Sequence, residues 1–178
     1  MKKTMIVLTI ALLALALALS ACGQPEENQE GMPNPWREIG EDEATELCPQ
    51  SFALPEGAEN VAWTVMESAA DASGVPGPLV QANFDLNGNS FTAREQITGD
   101  EAAWQDGMYY EWTSTDEGNL TTWGLPCTTC RYVGENEYAD LCEWFDPASG
   151  VSYSLSVAAE DLDGFDILAV AEAMAPAK

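Results

Sequence analysis

Residues 79–97 read LVQANFDLNGNSFTAREQI, two alternating runs of apolar and polar residues on either side of Asn87-Gly88. Asn-Gly between such runs is the strongest short signal for a two-residue type I′ hairpin, because both turn residues must adopt positive φ. That turn pairs Leu86 with Asn89, Phe84 with Phe91, Ala82 with Ala93 and Gln81 with Arg94. The two phenylalanines then share a core face. Asp85, Asn87 and Asn89 also imitate the opening of a calcium loop. Such a loop needs Gly at its sixth position and Glu at its twelfth, and this chain has Ser90 and Gln96 there. The hairpin is therefore the reading retained.

Before the hairpin, residues 59–67 (ENVAWTVME) alternate Val61, Trp63 and Val65 with Ala62, Thr64 and Met66, a strand mostly buried on both faces. Residues 71–78 are turn-rich. Residues 41–48 (EDEATELC) open with acids suited to a helix N-terminus, carry Ala44, Leu47 and Cys48 at helical spacing, and stop at Pro49. After the hairpin, residues 108–114 (MYYEWTS) read as a strand with Met108, Tyr110 and Trp112 on one side. Residues 131–133, 138–145 and 151–157 complete an antiparallel meander. In the last of these Val151, Tyr153, Leu155 and Val157 point to the core, and Ser152, Ser154 and Ser156 point to water. Asp163 or Gly164 caps a final helix to about Met174, with Ile167, Val170, Ala171 and Met174 on one face. Helix capping also accounts for the acidic run 161–166, whose spacing is calcium-like on paper. The expected fold is α+β: a curved antiparallel β-sheet of about six or seven strands, with a short N-terminal helix and a C-terminal helix packed on one face. No repeat, second domain or phosphate-binding glycine loop interrupts it.

Composition removes whole classes of function. The 178 residues hold 6 Lys+Arg, 30 Asp+Glu and no His, a formal charge of −24. Nucleic-acid binding needs clustered cations to neutralise phosphates, and the few here are scattered. Without histidine there is no Ser-His or Cys-His nucleophile and no zinc-histidine site. No cofactor motif is present, and the reading is not an enzyme. The many carboxylates form solvated runs such as 41–43, and nothing in the sequence sets a catalytic pair at a defined separation.

The N-terminus sets the compartment. Lys2 and Lys3 precede an apolar run, 5–19, that is shorter than the roughly 20 residues a membrane span requires. The run ends in Leu19-Ser20-Ala21-Cys22-Gly23. This resembles the lipobox of bacterial lipoproteins, in which the cysteine sulfur receives a diacylglycerol and the chain is cut before it. The resemblance implies a removed signal over 1–21 and lipidation of Cys22, with attachment to the lipid bilayer through its acyl chains. Residues 22–35 then read as the lipidated cysteine and a disordered tether, and 36–175 as a single β-rich domain. Thirteen tether residues reach on the order of 20 Å as a coil. Cleavage removes two lysines and no acid, taking −24 to −26. That charge repels an anionic bilayer and favours neutral or cationic ligands or protein partners.

Trp36 and Glu43-Ala44 leading to Phe52 and Leu54-Pro55-x-Gly57, then Trp144-x4-Ser149-Gly150-x-Ser152-Tyr153-x-Leu155 and the terminal helix, resemble a bacterial domain of unknown function. That family occurs in extracytoplasmic lipoproteins and at the outer ends of anti-sigma-factor-like membrane proteins. The resemblance implies a curved sheet with helices on its concave side, similar to periplasmic lipoprotein-carrier and sensor domains, and no catalytic residues. The lipobox, the tether, the β-rich core and the missing catalytic set point to a non-catalytic binding or sensor domain on the extracytoplasmic face of a bacterial membrane. The four further cysteines are not part of its pattern.

Cys48, Cys127, Cys130 and Cys142 are an even number in an oxidising compartment, which favours two disulfides in one of three connectivities. A three-residue loop over 135–137 would set Cys130 opposite Cys142, whereas a four-residue loop would set Thr129 there. Positions 127 and 130 face opposite ways in a strand, so only one of them bridges Cys142. The favoured pairs are Cys130 with Cys142 and Cys48 with Cys127. The alternative is a tethered thiol-disulfide oxidoreductase using Cys127 and Cys130, although such pairs normally open a helix. Four-thiolate zinc binding would need a second closely spaced pair, which is missing, so no metal is assigned. Among the aromatics, Trp63, Trp112 and Trp144 lie in strand patterns and read as core. Trp36, Trp104 and Trp123 lie in loop-like segments and are the candidates for ligand contact.

Overall fold

The computed structural model describes residues 34–70, 74, 76–103, 108 and 110–175. In chain order these form β1 (Arg37–Ile39), α1 (Glu41–Leu47), β2 (Glu59–Ala70), β3 (Pro76–Leu86), β4 (Asn89–Ile97), a 3-10 turn (Glu101–Ala103), β5 (Ser114–Leu120), β6 (Leu125–Val133), β7 (Tyr138–Asp146), β8 (Val151–Ala159) and α2 (Ile167–Ala173). The fold is α+β, mostly antiparallel sheet. Among the described residues there are eight strands, not six or seven, in the order β1-β2-β3-β4-β8-β7-β6-β5, and the sheet is open.

The Asn-Gly hairpin anchors this arrangement. Asn87 and Gly88 carry φ of 53° and 85°, and the pairs Leu86–Asn89, Phe84–Phe91, Ala82–Ala93 and Gln81–Arg94 all form. The Phe84 and Phe91 rings stack at 5.3 Å. Because a β-branched residue is strained at positive φ, Gly88→Val should cost about 1–3 kcal/mol in urea unfolding, with an unchanged m-value. A loss below a few tenths of a kcal/mol would mean that the turn does not hold the register.

Two four-stranded meanders, β1–β4 and β5–β8, meet where β4 pairs with β8. One face carries the core in rows that cross the sheet. The first row is Val65, Val80, Glu95, Tyr153, Trp144, Cys127 and Gly118; the second is Trp63, Ala82, Ala93, Leu155, Cys142 and Thr129. Ala44 of α1 and Ile167 and Ala171 of α2 are buried in the same cluster. The segment after α1 is tied to this face by Tyr153 Oη donating to the Gln50 carbonyl (2.8 Å) and by Ala53 N donating to the Met174 carbonyl (2.9 Å).

Several expectations are corrected. The serines of β8 do not meet water: Ser152, Ser154 and Ser156 are 1%, 2% and 8% exposed. β4 and β5 run parallel with three strands between them, joined by the chain after Ile97. Its described residues Tyr110 and Trp112 lie on the face opposite the helices, with Tyr110 4.9 Å from the Tyr132 ring. Thr98, at the start of that connection, shares a 2.7 Å hydrogen bond with Ser152. The pattern of residues 108–114 predicts a strand, yet among those described only Ser114 lies in one. Their aromatic spacing serves ring-on-ring packing instead, with Tyr110 and Trp112 5.4 Å apart. β5 itself (STDEGNL) gives no strand signal in the sequence, because an edge strand with one buried residue, Leu120, shows no apolar alternation. The last helix begins at Ile167 with Asp166 as its N-cap, not Asp163 or Gly164. Gly164 at φ 71° and the Phe165 N bond to the Leu162 carbonyl make a separate turn before it.

Candidate functional site

The four-residue loop between β6 and β7 decides the local chemistry. It pairs Val133 with Tyr138, Arg131 with Asp140, Thr129 with Cys142 and Cys127 with Trp144. Arg131 binds Asp140 through both carboxylate oxygens, Nε to Oδ1 at 2.7 Å and Nη2 to Oδ2 at 2.6 Å, and Nη2 also donates to the Phe165 carbonyl at 3.0 Å. The Asp140 side chain is 2% exposed and that of Arg131 35%. The hydrogen bond to Asp140 holds the guanidinium above its ordinary pKa against the opposing effect of burial.

This ion pair floors a cleft of about 210 Å³ between the β5–β7 strands and the chain entering α2. Ser114, Asp116, Thr129 and Asp166 complete its polar lining. Asp166 Oδ1 already accepts from Leu168 N at 3.0 Å, and the Arg131 charge is neutralised by Asp140. What is left to a visitor is hydroxyls, a carboxylate and the polarised guanidinium edge. Such a lining suits a small neutral or cationic hydrogen-bonding ligand. One signal in the sequence points to this cleft. Of the two loop lengths considered, only the four-residue one sets Arg131 opposite Asp140, and opposite charges across a ladder stabilise a pairing.

A second polar group is sealed inside the core. Glu95 is fully buried, accepting from Ser51 Oγ at 2.7 Å and Phe52 N at 3.2 Å. Burial pushes its pKa up to about 7 despite those two bonds. Burial, reinforced by Glu95, pushes the Cys48 thiol up to about 12, and burial likewise raises the Tyr153 phenol. This group fastens the chain after α1 to the sheet.

The cysteines are arranged differently from the expected pairs. With Thr129 across from Cys142, Cys130 lies on the other face of β6, so the Cys130–Cys142 pair does not suit this register. Cys127 shares the core face with Cys142, and each thiol is near enough to shift the other's titration. Cys48 sits beside Glu95 rather than Cys127, and all four cysteines are thiols in the structure. Cys127 and Cys130 of the Cys-Thr-Thr-Cys stretch therefore point to opposite sides of one strand. Cys130 lies 3.6 Å from Thr115 Oγ1. Among the described residues no three Cys, Asp or Glu side chains converge as metal ligands.

The tryptophans divide too. Trp123 packs on Trp144 (5.2 Å) and Tyr153 (5.1 Å), and its Nε1 donates to the Ala171 carbonyl at 2.9 Å. The β5–β6 turn folds this ring onto the core, where it clamps α2 and offers no open platform. Glu172 strengthens the same joint by accepting from Thr121 and Thr122 of that turn. Trp36 is half-buried, with the Arg94 guanidinium carbon 5.8 Å from its ring centre. Trp104 and Cys22 lie outside the described residues. No protein-family model, curated protein or solved structure matches this chain.

Proposed function

We propose that this protein is a lipoprotein on the extracytoplasmic face of a bacterial membrane, anchored by acyl chains on Cys22, whose curved sheet domain is a non-catalytic binding or sensor module. The observation that carries this reading is Leu19-Ser20-Ala21-Cys22 directly after a charged, then apolar, N-terminus. The cleft beside Arg131 supports a binding role, since its hydroxyl and carboxylate lining and the acidic surface both favour a neutral or cationic ligand. The oxidoreductase alternative has less support. Cys127 and Cys130 leave β6 on opposite sides, and burial raises the Cys127 thiol where a redox nucleophile needs a lowered one.

The test is metabolic labelling of bacteria expressing the full chain with an alkyne fatty acid, followed by membrane fractionation. The wild-type chain should carry label and sediment with membranes. Cys22→Ser should lose the label and leave the membrane fraction. A Cys22→Ser chain that keeps its label and still sediments would overturn the lipid anchor.

A further inference from the structure

We propose that Cys127 and Cys142 are joined by a disulfide that crosses from β6 to β7, a pairing distinct from the two that sequence spacing favoured. The two residues occupy adjacent antiparallel strands and the same face, two positions out of direct register, and each thiol is near enough to shift the other's titration. Both are buried, at 5% and 0% exposure. Gly118, directly opposite Cys127 on the other side, contributes to this placement. A Cβ there would stand 3.2 Å from the Cys127 sulfur, so the missing side chain leaves that sulfur its room beside β5. Cys130 is separated from Cys142 by the sheet itself, and Cys48 is held in the Glu95 corner.

The inference rests on the extracytoplasmic reading above, because a disulfide persists only where the surroundings are oxidising. The oxidant is a donor disulfide, either that of an oxidoreductase or a small molecule such as glutathione disulfide. One protein thiolate attacks a donor sulfur and expels the first donor thiolate. The second protein thiolate then attacks the mixed disulfide and expels the other. The two protein thiols lose two electrons and two protons, and the donor is reduced to two thiols. Burial raises both thiols, so this exchange belongs to folding, before β6 and β7 are covered, and the finished bridge is shielded from reductant. It would close a loop of about 15 residues and restrict the unfolded chain accordingly.

The experiment isolates the full chain from membranes, alkylates its thiols under denaturing conditions and maps the peptides by mass spectrometry with and without reductant. A Cys48→Ser/Cys130→Ser variant is run in parallel, because positions 127 and 130 fall on one tryptic peptide. The expected result is a linked 127–142 pair in both proteins, lost on reduction, with Tm falling by roughly 5–10 °C. Alkylation of both thiols, or Cys142 linked to another cysteine, overturns the proposal. The same digest reports lipid on Cys22. If that lipid is absent, the compartment reading fails by itself, and the bridge is then tested by refolding the chain with glutathione disulfide. Under those conditions a 127–142 link upholds the pairing and its absence rejects it.

Discussion

Replacing Arg131 by methionine is expected to destabilise the domain by about 3 kcal/mol, with a drop in Tm of roughly 6–12 °C. The Asp140 side chain is 2% exposed, and its cation is Arg131, bound to both of its oxygens. Methionine keeps much of the hydrophobic stem but strands a buried carboxylate, which loses far more than a surface pair would. Arg131 itself is 35% exposed, which keeps the expected loss at the lower end for a broken buried pair. The paired variant Arg131→Met/Asp140→Asn should recover part of the loss, since it removes the uncompensated charge. Denaturant unfolding of the two variants and the wild type decides the matter. A single-variant loss below about 0.5 kcal/mol would show that the pair behaves as an exposed one.

Glu95→Gln should change how stability depends on pH. Burial raises the native pKa of Glu95 to about 7, while the unfolded chain titrates near 4.5. Below pH 4.5 both states are protonated, and the stabilisation is fully present. As pH rises toward 7 the unfolded chain releases its proton while the native chain keeps it, so stability drains away and then levels off. The difference amounts to about 3 kcal/mol. Glutamine still accepts from Ser51 but not from Phe52 N as well, which costs about 1 kcal/mol. The two stability curves are therefore expected to cross, with the variant weaker at pH 4.5 and stronger by about 2 kcal/mol at pH 8. Thermal melts across that range provide the measurement, and parallel curves would refute the assignment. Cys48 and Tyr153, which face Glu95, both titrate above this window and leave its shape unchanged.

Local chemistry made part of the molecule readable. Asn87-Gly88 imposes positive φ on two adjacent residues, so its register is a property of four or five neighbours. The acids of 41–43 and Pro49 likewise bracket α1 within one turn of its ends. Edge strands defeat the same method. β1 is three residues long and β5 buries only Leu120, so neither has a periodic apolar face. The cleft was legible only in part, because choosing the β6–β7 loop length required weighing the charges of Arg131 and Asp140 together with the cysteines.

The sequence alone determined the hairpin, the first helix, the order of the C-terminal meander and the absence of histidine chemistry, all of which depend on residues close together in the chain or on composition. Tertiary structure decided which side of each strand meets water. The pattern of β8 predicts a wet serine face, but Ser152, Ser154 and Ser156 are buried, and Thr98 from the chain after β4 hydrogen-bonds to Ser152. It also decided the partners of the cysteines. Sequence counts thiols and their parity, whereas pairing depends on a one-residue register, and a step of one residue sends a side chain through the sheet to the other face.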